Sequence, residues 1–529
     1  MTHEPTLLPV HPPGDQPLVA SGTDQPPTPV PPTLDTFAGP VTVEWDPSVA
    51  LTPLGQAPFF IEFLKVSGLF EPWLADCPLR YTSPNAPKKR DVLGTLALAI
   101  LSGCKRYAHI TALRCDAVLP DLLGMTKVVS EVARKLASED AVRGALKSMP
   151  EPDSLEWLQR HLDHCISPLL GERYVLDIDT TVKPLYGHQE GAVISYNPKK
   201  PGRPSHVHHT YMMAGLRLVM SVETAPGNEH TGAHATPGLW NLLDRFPRDQ
   251  WPALLRGDSG IASESVMAEA ERRAVAYLFK LRQTKNVKKL IWRTFAKAGW
   301  VDAGQGWQGR HEELRLDGWG RQRRVVVLRR RLKDGVVAGK PENPDQLQLG
   351  FVEIGPDAQL YEYAVLVTSL DLEVLSIAQL YRDRADCENV FDELKNQWGW
   401  GGFTTADLAR CRITARMVAL VYNWWNLFVR LAEPDKHLEA ITSRPLLLTA
   451  IAECTHHARQ TTLRVTSAHG RGKWAQRVLS EVSAFLRRLA ETTEQLTGEQ
   501  RWWRILAHAL RSWLGGRQLR PPPRLTAPA

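Results

Sequence analysis

No Cys-x-x-Cys pair occurs anywhere in this chain of 529 residues, and its seven cysteines, at 77, 104, 115, 165, 387, 411 and 454, are scattered and odd in number. That argues against a zinc ribbon and against a disulfide scaffold, and for reduced thiols in a cytosol. Long apolar runs are absent too. The most apolar stretches, such as 93–101, fall far short of the roughly 20 residues a membrane span requires, so a soluble chain with no membrane partner is expected. The opening Met1-Thr2-His3-Glu4-Pro5 lacks the basic region and apolar core of a secretory signal, which places the expected protein in the cytoplasm. No Lys or Arg stands in the first 40 residues, which hold 11 of the 39 prolines and hardly an aromatic side chain. A segment with so little to bury cannot offset its ordering entropy, so 1–44 reads as a disordered Pro-rich leader. No repeat of solenoid period is present.

What the chain does hold is ordinary globular stock, 43% hydrophobic and 23% charged, and too long for one core. Lys and Arg number 64 against 57 acidic residues, a formal charge of +7 that favours a polyanionic partner. Over 45–170 apolar residues recur at helical spacing (59–69, 91–101, 128–146, 155–170), predicting a helical domain, expected to bind DNA, with Ser138 as the N-cap of a helix through Leu146. From Arg173 the period shifts to two. Strands are expected at 174–179, 215–222, 253–255 and 274–281, alternating with helices at 239–246 and 261–273, the pattern of an α/β sheet. The stretch 286–356, with Trp292, Trp300, Trp307 and Trp319 and short β-prone runs at 312–316 and 324–332, reads as a β-rich insertion. A strand at 361–370 and a long helix at 375–398 follow within 357–402, and 403–529 is expected to be helical to about Leu514 with a basic, Pro-rich tail.

Carboxylates that do chemistry in α/β folds tend to sit where a strand ends, on rigid backbone yet open to solvent. Asp179 and Asp258 both occupy such positions; Asp177, two residues before Asp179 on the same strand face, is the alternative first ligand, with Asp179 preferred as nearer the strand end. A third element is the run from Tyr381 to Lys395. On a helix, Tyr381, Arg384, Glu388 and Lys395 share one stripe about 60° wide. Such a stripe serves either a site or an exposed face with local pairs such as Arg384 with Glu388.

Tyr381, Arg384, Glu388 and Lys395 fit the Y-x(2)-R-x(3)-E-x(6)-K signature, and the chain resembles bacterial insertion-sequence transposases of the DDE class, whose catalytic core is RNase H-like. The segments Leu176-Asp177-Ile178-Asp179-Thr180-Thr181 and Arg256-Gly257-Asp258-Ser259-Gly260 resemble that family's two aspartate blocks, and 195–206 resembles a block of one branch of the group. The likeness runs from about Arg173 to Gly402, in the right order. It implies an α/β fold with an RNase H-like core, parted into 171–285 and 357–402 around the β-rich insertion 286–356 and flanked by helical N- and C-terminal regions. By the same resemblance Asp179, Asp258 and Glu388 are the catalytic residues and hold two Mg²⁺ ions, with Mn²⁺ as substitute, which suits hard carboxylate oxygens. Tyr381, Arg384 and Lys395 hold phosphates of the DNA end. The implied partners are double-stranded DNA, as terminal inverted repeats and target, and a second copy of the chain; the implied location is the bacterial cytoplasm, on the nucleoid when bound to DNA. The implied reaction is cleavage of DNA ends and joining of their 3′-hydroxyls to target DNA. The rivals are an RNase H-like nuclease that does not rejoin DNA and a catalytically inactive DNA-binding derivative.

Other residues fit this picture with less distinctive chemistry. Lys199, Lys200 and Arg203, in a Pro/Gly loop after the first strand, are candidate phosphate contacts. The seven basic residues between Arg321 and Lys333 read as a hairpin with a DNA-facing side. In relatives a tryptophan of the insertion stacks on a flipped base, and all four here remain candidates. His206, His208 and His209 lack a matching Cys or His pair at ligand spacing nearby, so DNA or structural roles are expected for them in preference to zinc. Cys387 is expected to point away from the acidic stripe and pack, and the apolar run 418–429 to pack beneath the sheet, or to mediate dimer contact.

Overall fold

The structure is a computed structural model that describes residues 31–44, 46, 48–126, 136–195, 197, 200–332, 361–458, 460–466, 470–493 and 495–520. The chain divides into two compact units, 1–49 and 50–529. In the first, β1 (Thr33–Thr36) and β2 (Gly39–Thr42) form an antiparallel hairpin in which Thr33 faces Thr42. Gly39, at φ 107°, supplies the left-handed turn. This corrects the expectation of disorder over 33–42: backbone pairing and β-branched threonines form a ribbon there without a buried core.

The second unit opens with β3 (Leu51–Thr52) and the helices α1 (Ala57–Ser67), α2 (Phe70–Asp76), α3 (Lys89–Leu101), α4 (Ile110–Leu113), α5 (Leu119–Leu122), α6 (Glu139–Ser148) and α7 (Glu151–Ile166). Ser138 caps α6 as its spacing predicts, its hydroxyl accepting from the amide of Ala141 at 3.1 Å. The rest of the helix expected at 128–146 falls, over 127–135, outside the described residues.

The large sheet follows: β4 (Val175–Pro184), β5 (Val193–Ile194), β6 (Pro204–Met213), β7 (Leu218–Pro226), then α8 (Thr231–Leu243), β8 (Leu254–Gly257), α9 (Glu264–Arg272), β9 (Tyr277–Lys280), α10 (Lys285–Phe295), β10 (Val301–Gly304), β11 (Trp307–Leu314), β12 (Arg323–Arg331) and β13 (Tyr361–Thr368). Its ten strands run β10-β11-β12-β13-β9-β8-β4-β6, with β5 and β7 both paired to the far side of β6. β4, β8 and β9 are mutually parallel, and β4-β6-β7 is an antiparallel meander. The strand β6 is not among the strands expected above, because its Ser, His and Thr residues show no apolar alternation; all of 205–213 is buried. The expected insertion is not a body apart. Its strands β10 to β12 extend the core sheet edgewise through β13, and Val325-Val326-Val327-Leu328 is buried on both faces, which explains an unbroken apolar run where alternation would mark a one-sided strand.

The remainder comprises α11 (Val374–Arg382), α12 (Ala385–Gln397), α13 (Leu408–Ala432), α14 (Ala440–Leu447), β14 (Ala452–His457), β15 (Gln460–Val465), α15 (Gly472–Glu491), α16 (Gly498–Ala509) and α17 (Arg511–Leu514). The hairpin β14–β15, which also pairs β3, corrects the expectation of an all-helical C-terminal region; Thr455, Thr461, Thr462 and Val465 favour extended backbone. The run 418–429 lies in α13, which is buried on nearly every side. Rather than lying beneath the sheet, α13 seals its edge. Asn423 accepts from the Val219 amide (2.9 Å) and donates to the Val219 carbonyl (2.8 Å), while Arg412 and Arg416 donate to the carbonyls of Thr224 and Val222. A polar stripe at helical spacing thus satisfies the free edge of β7, which would otherwise present unpaired backbone. No helix among the described residues is long and apolar enough to cross a membrane.

Candidate active site

Parallel pairing of β4 with β8 sets Ile178 opposite Gly257, so the next residues, Asp179 and Asp258, stand at the same level on neighbouring segments; β8 ends before Asp258 as expected, but the strand expected to end at Asp179 runs on to Pro184 because it stays paired with β6. Gly257 permits this approach. A Cβ there would stand 2.4 Å from Ile261 Cγ2 and 3.1 Å from the Ile178 carbonyl oxygen. Gly257→Ala is therefore expected to destabilise the fold by about 1–3 kcal/mol, read from the urea midpoint. Each aspartate has one oxygen held by backbone: Asp179 Oδ1 accepts from the Thr180 amide (2.7 Å) and Asp258 Oδ1 from the Gly260 amide (2.8 Å).

The third carboxylate arrives on a broken helix. The spacing predicts one helix over 375–398, but the chain turns at Asp383–Arg384 between α11 and α12, where Arg384 N bonds Tyr381 O (3.1 Å) and Cys387 N bonds Arg384 O (2.9 Å). These three-residue spacings tighten the backbone locally. The buried Arg384 guanidinium then reaches two carboxylates at once, Asp179 Oδ2 through Nη2 (2.5 Å) and Glu388 Oε1 through Nη1 (2.8 Å). Glu388 itself is 58% exposed, and Cys387 beside it is buried, as expected from its 100° offset.

The electrostatics tie five residues together. Burial pushes the Asp179 carboxyl up to about 7; Arg384 pulls it down, while Asp258 and Glu388 push it further up. Burial likewise raises the Tyr381 hydroxyl, offset by Arg384 and reinforced by Asp258, Glu388 and Asp179. Two carboxylates share one guanidinium with a third nearby, and hard oxygens of this kind suit a divalent cation. Asp179, Glu388 and Arg384 are thus bonded together, with Asp258 and Tyr381 within electrostatic reach, although the three carboxylates do not all come within 4.8 Å of one another. Lys395 stands two turns beyond Glu388 on α12 and is half-buried.

Asp177 has a different occupation. Fully buried, it is gripped by the equally buried Arg256 through Nε–Oδ1 (2.5 Å) and Nη2–Oδ2 (2.8 Å). Arg256 also donates to the Leu380 carbonyl, next to Tyr381. The pair fastens the strands to the end of α11 and leaves Asp179 as the candidate ligand. Two further anchors escaped sequence reasoning. Arg217 at the β6–β7 turn pairs with Asp386, and buried Glu393 accepts from Trp398 Nε1 (3.1 Å), His437 Nε2 (2.9 Å) and the Ala440 amide (2.9 Å). Their signal was present as charged residues on the inward side of an otherwise apolar helix face.

The remaining candidates are distributed unevenly. Lys200 and Arg203 lie over the exposed Tyr186 ring, at 4.8 and 4.7 Å from its centroid; Lys199 lies outside the described residues. The basic run forms β12 over 323–331, with Lys333 outside the described residues, and several of its arginines are paired within the protein: Arg321 and Arg323 with Glu271, Arg323 also with Glu264, Arg324 with Asp371 and Arg330 with Glu362. Arg323 is buried, whereas Arg321 and Arg330 stay 62% and 46% exposed beside their partners. Of the tryptophans, Trp319 is buried, Trp300 and Trp307 lie under Arg329 and Arg330, and Trp292 is 47% exposed on the basic helix α10.

A family model described as "Transposase DDE domain group 1" matches residues 79–490, most of the chain. The chain belongs to the DDE transposase family. None of the curated proteins compared with this DDE-family chain matches it. Among solved structures it is similar to "Cryo-EM structure of piggyBac transposase synaptic complex with hairpin DNA (SNHP)", at 11% identity and TM-score 0.37, over 89% of this chain and 87% of that one. All three acidic positions of this family member fall inside the matched range.

Proposed function

We propose that this family member is an insertion-sequence transposase that binds the terminal inverted repeats of its own element, cleaves the DNA ends and joins their 3′-hydroxyls to target DNA. The observation that carries the reading is the convergence of Asp179, Asp258 and Glu388 around Arg384, in a chain whose family uses such a triad. The core would be RNase H-like; the order β7-β6-β4-β8-β9, a three-stranded antiparallel meander continued by two parallel strands, supports this. Asp179, Asp258 and Glu388 would hold two Mg²⁺ ions, which when bound supply activation of water and charge neutralisation at the leaving oxygen. The chain's own residues do the rest. Arg384, freed from its carboxylate partners, offers its fork to a phosphate, and Tyr381 and Lys395 extend that contact along the DNA end. Lys200 and Arg203 would meet backbone further out, and Trp292 is the exposed candidate for stacking on a base. Joining both ends to one target calls for two active sites, hence a homodimer on DNA.

Because a proton and a cation compete for Asp179, divalent binding should strengthen as pH rises through about 7, measured by titration calorimetry. The function is tested by incubating end-bearing DNA and a plasmid target with Mg²⁺. Strand-transfer products are expected; cleavage without transfer would identify a nuclease, and DNA binding without cleavage an inactive derivative.

A further inference from the structure

The loop between α3 and α4 meets the end of α12 almost entirely through backbone. The Phe403 amide donates to the Lys105 carbonyl (2.8 Å), and a Cβ on Gly402 would overlap that same oxygen. A Cβ on Gly399 would stand 3.1 Å from the Cys104 carbonyl oxygen. Buried Tyr107 sets its ring edge-on to Phe403, centroids 5.2 Å apart, and its hydroxyl lies 2.7 Å from Thr414 Oγ1. The turn that receives the loop also closes α12 and touches β4: the Gly401 amide donates to the Lys395 carbonyl (3.4 Å), and Lys183 Nζ donates to the Gly402 carbonyl. Because backbone and Tyr107 make these contacts, Lys105 and Arg106 stand exposed side by side, with no side-chain partner among the described residues.

We propose that Lys105 and Arg106 clamp backbone phosphates of the DNA end, about three to four base pairs from the acidic site. The clamp rests on the function proposed above. Two paths through the fold give the distance. Lys395, whose carbonyl bonds the turn, lies seven residues beyond Glu388 on α12, about 10 Å at roughly 1.5 Å per residue. Lys183 lies four residues beyond Asp179 on the same face of β4, about 13 Å at roughly 3.3 Å per residue. Each strand of a duplex carries one phosphate per roughly 3.4 Å of axis, so the loop falls a few phosphates from the reacting one. The charge agrees. Arg323 and Arg330 of β12 are paired with carboxylates, whereas these two cations meet none among the described residues, which leaves their charge to an anion from outside. Their backbone is already fixed by the turn at 399–403, so little ordering is lost when DNA arrives. Contacts to phosphate position DNA and read no sequence. The clamp is hidden from sequence reading because Tyr107 and Thr414, which hold the loop in place, are 307 positions apart.

The test is equilibrium binding of full-length protein to an end-bearing duplex and to a duplex of unrelated sequence, across a salt series without divalent metal. Wild type is compared with Lys105→Ala/Arg106→Ala and with a control of equal charge at two other exposed lysines, Lys65→Ala/Lys147→Ala. Loss of two phosphate contacts should reduce the slope of log K against log salt by about 1.8 and weaken both duplexes by the same factor, about tenfold or more at low salt. The control should match wild type. A melting curve checks each fold, and Lys105→Gln/Arg106→Gln decides if the alanine variant is unstable. An unchanged slope, an equal fall in the control, or a loss confined to the end-bearing duplex, the mark of base reading, would each overturn the clamp. Wild-type protein that binds neither duplex would sink the proposed function and the clamp with it, whereas wild-type binding with an unchanged slope in the double variant removes the clamp alone.

Discussion

Glu388→Gln is expected to lower DNA-end cleavage by about three orders of magnitude or more, while DNA binding and thermal stability hold. A metal ligand at a two-ion site contributes several kcal/mol of transition-state stabilisation, and each 1.4 kcal/mol is about tenfold in rate. Stability should hardly move, because Glu388 is more than half exposed and a glutamine oxygen can still accept from Arg384 Nη1. Exposed pairs of this kind contribute at most about 1 kcal/mol. The contrast decides between two readings of the same helix stripe. Were Glu388 only the surface partner of Arg384 at i, i+4, cleavage by the variant would match wild type. Single-turnover cleavage, gel-shift binding and a melting curve on the same preparation separate the cases.

Arg256→Ala is expected to cost about 3–5 kcal/mol of stability, because it strands the Asp177 carboxylate, 1% exposed, without its partner. It also removes the tie from β8 to the Leu380 carbonyl, which seats the end of α11. Replacing both partners together with apolar residues should recover much of that loss, since the desolvation cost of the pair then disappears with it. The neighbouring aspartate behaves in the opposite way. The folded-state pKa of Asp179 is raised, so the stability it contributes is present at low pH and is lost as pH rises through about 7. Asp179→Asn removes that loss and should leave the protein at least as stable at alkaline pH while abolishing cleavage. Denaturation curves at acid and alkaline pH check both variants.

The contrast between Asp177 and Asp179 also marks how far the sequence can be read. Period-two alternation located β4, β8 and β9, because that signal is local; the expected strand end singled out Asp258 rightly, whereas Asp179 lies within β4, which runs on to Pro184 through its pairing with β6. The choice between Asp177 and Asp179 needed Arg256, which is 79 positions away from Asp177 in the chain. The spacing of Tyr381, Arg384, Glu388 and Lys395 gave one stripe, yet nothing local announced the turn at Asp383–Arg384, since Ala385 and Asp386 carry no helix-breaking signal; tertiary pairing of Arg384 with Asp179 accompanies it. The strand β6 was hidden by its polar side chains, which are buried because Thr180, Thr224 and Glu190 supply their partners. The basic run in β12 illustrates the same limit for charge. Its arginines meet Glu264, Glu271, Glu362 and Asp371, contributed by other segments, pairings that composition alone could not reveal.

The most direct test of the central claim is anomalous diffraction from crystals of the protein bound to DNA ends and soaked in Mn²⁺, with uncleaved ends preserved by Ca²⁺ during growth. Two manganese peaks, each within coordination distance of Asp179, Asp258 or Glu388, are the predicted result. Peaks absent from that pocket, with the three carboxylates still engaged only with Arg384, would contradict it.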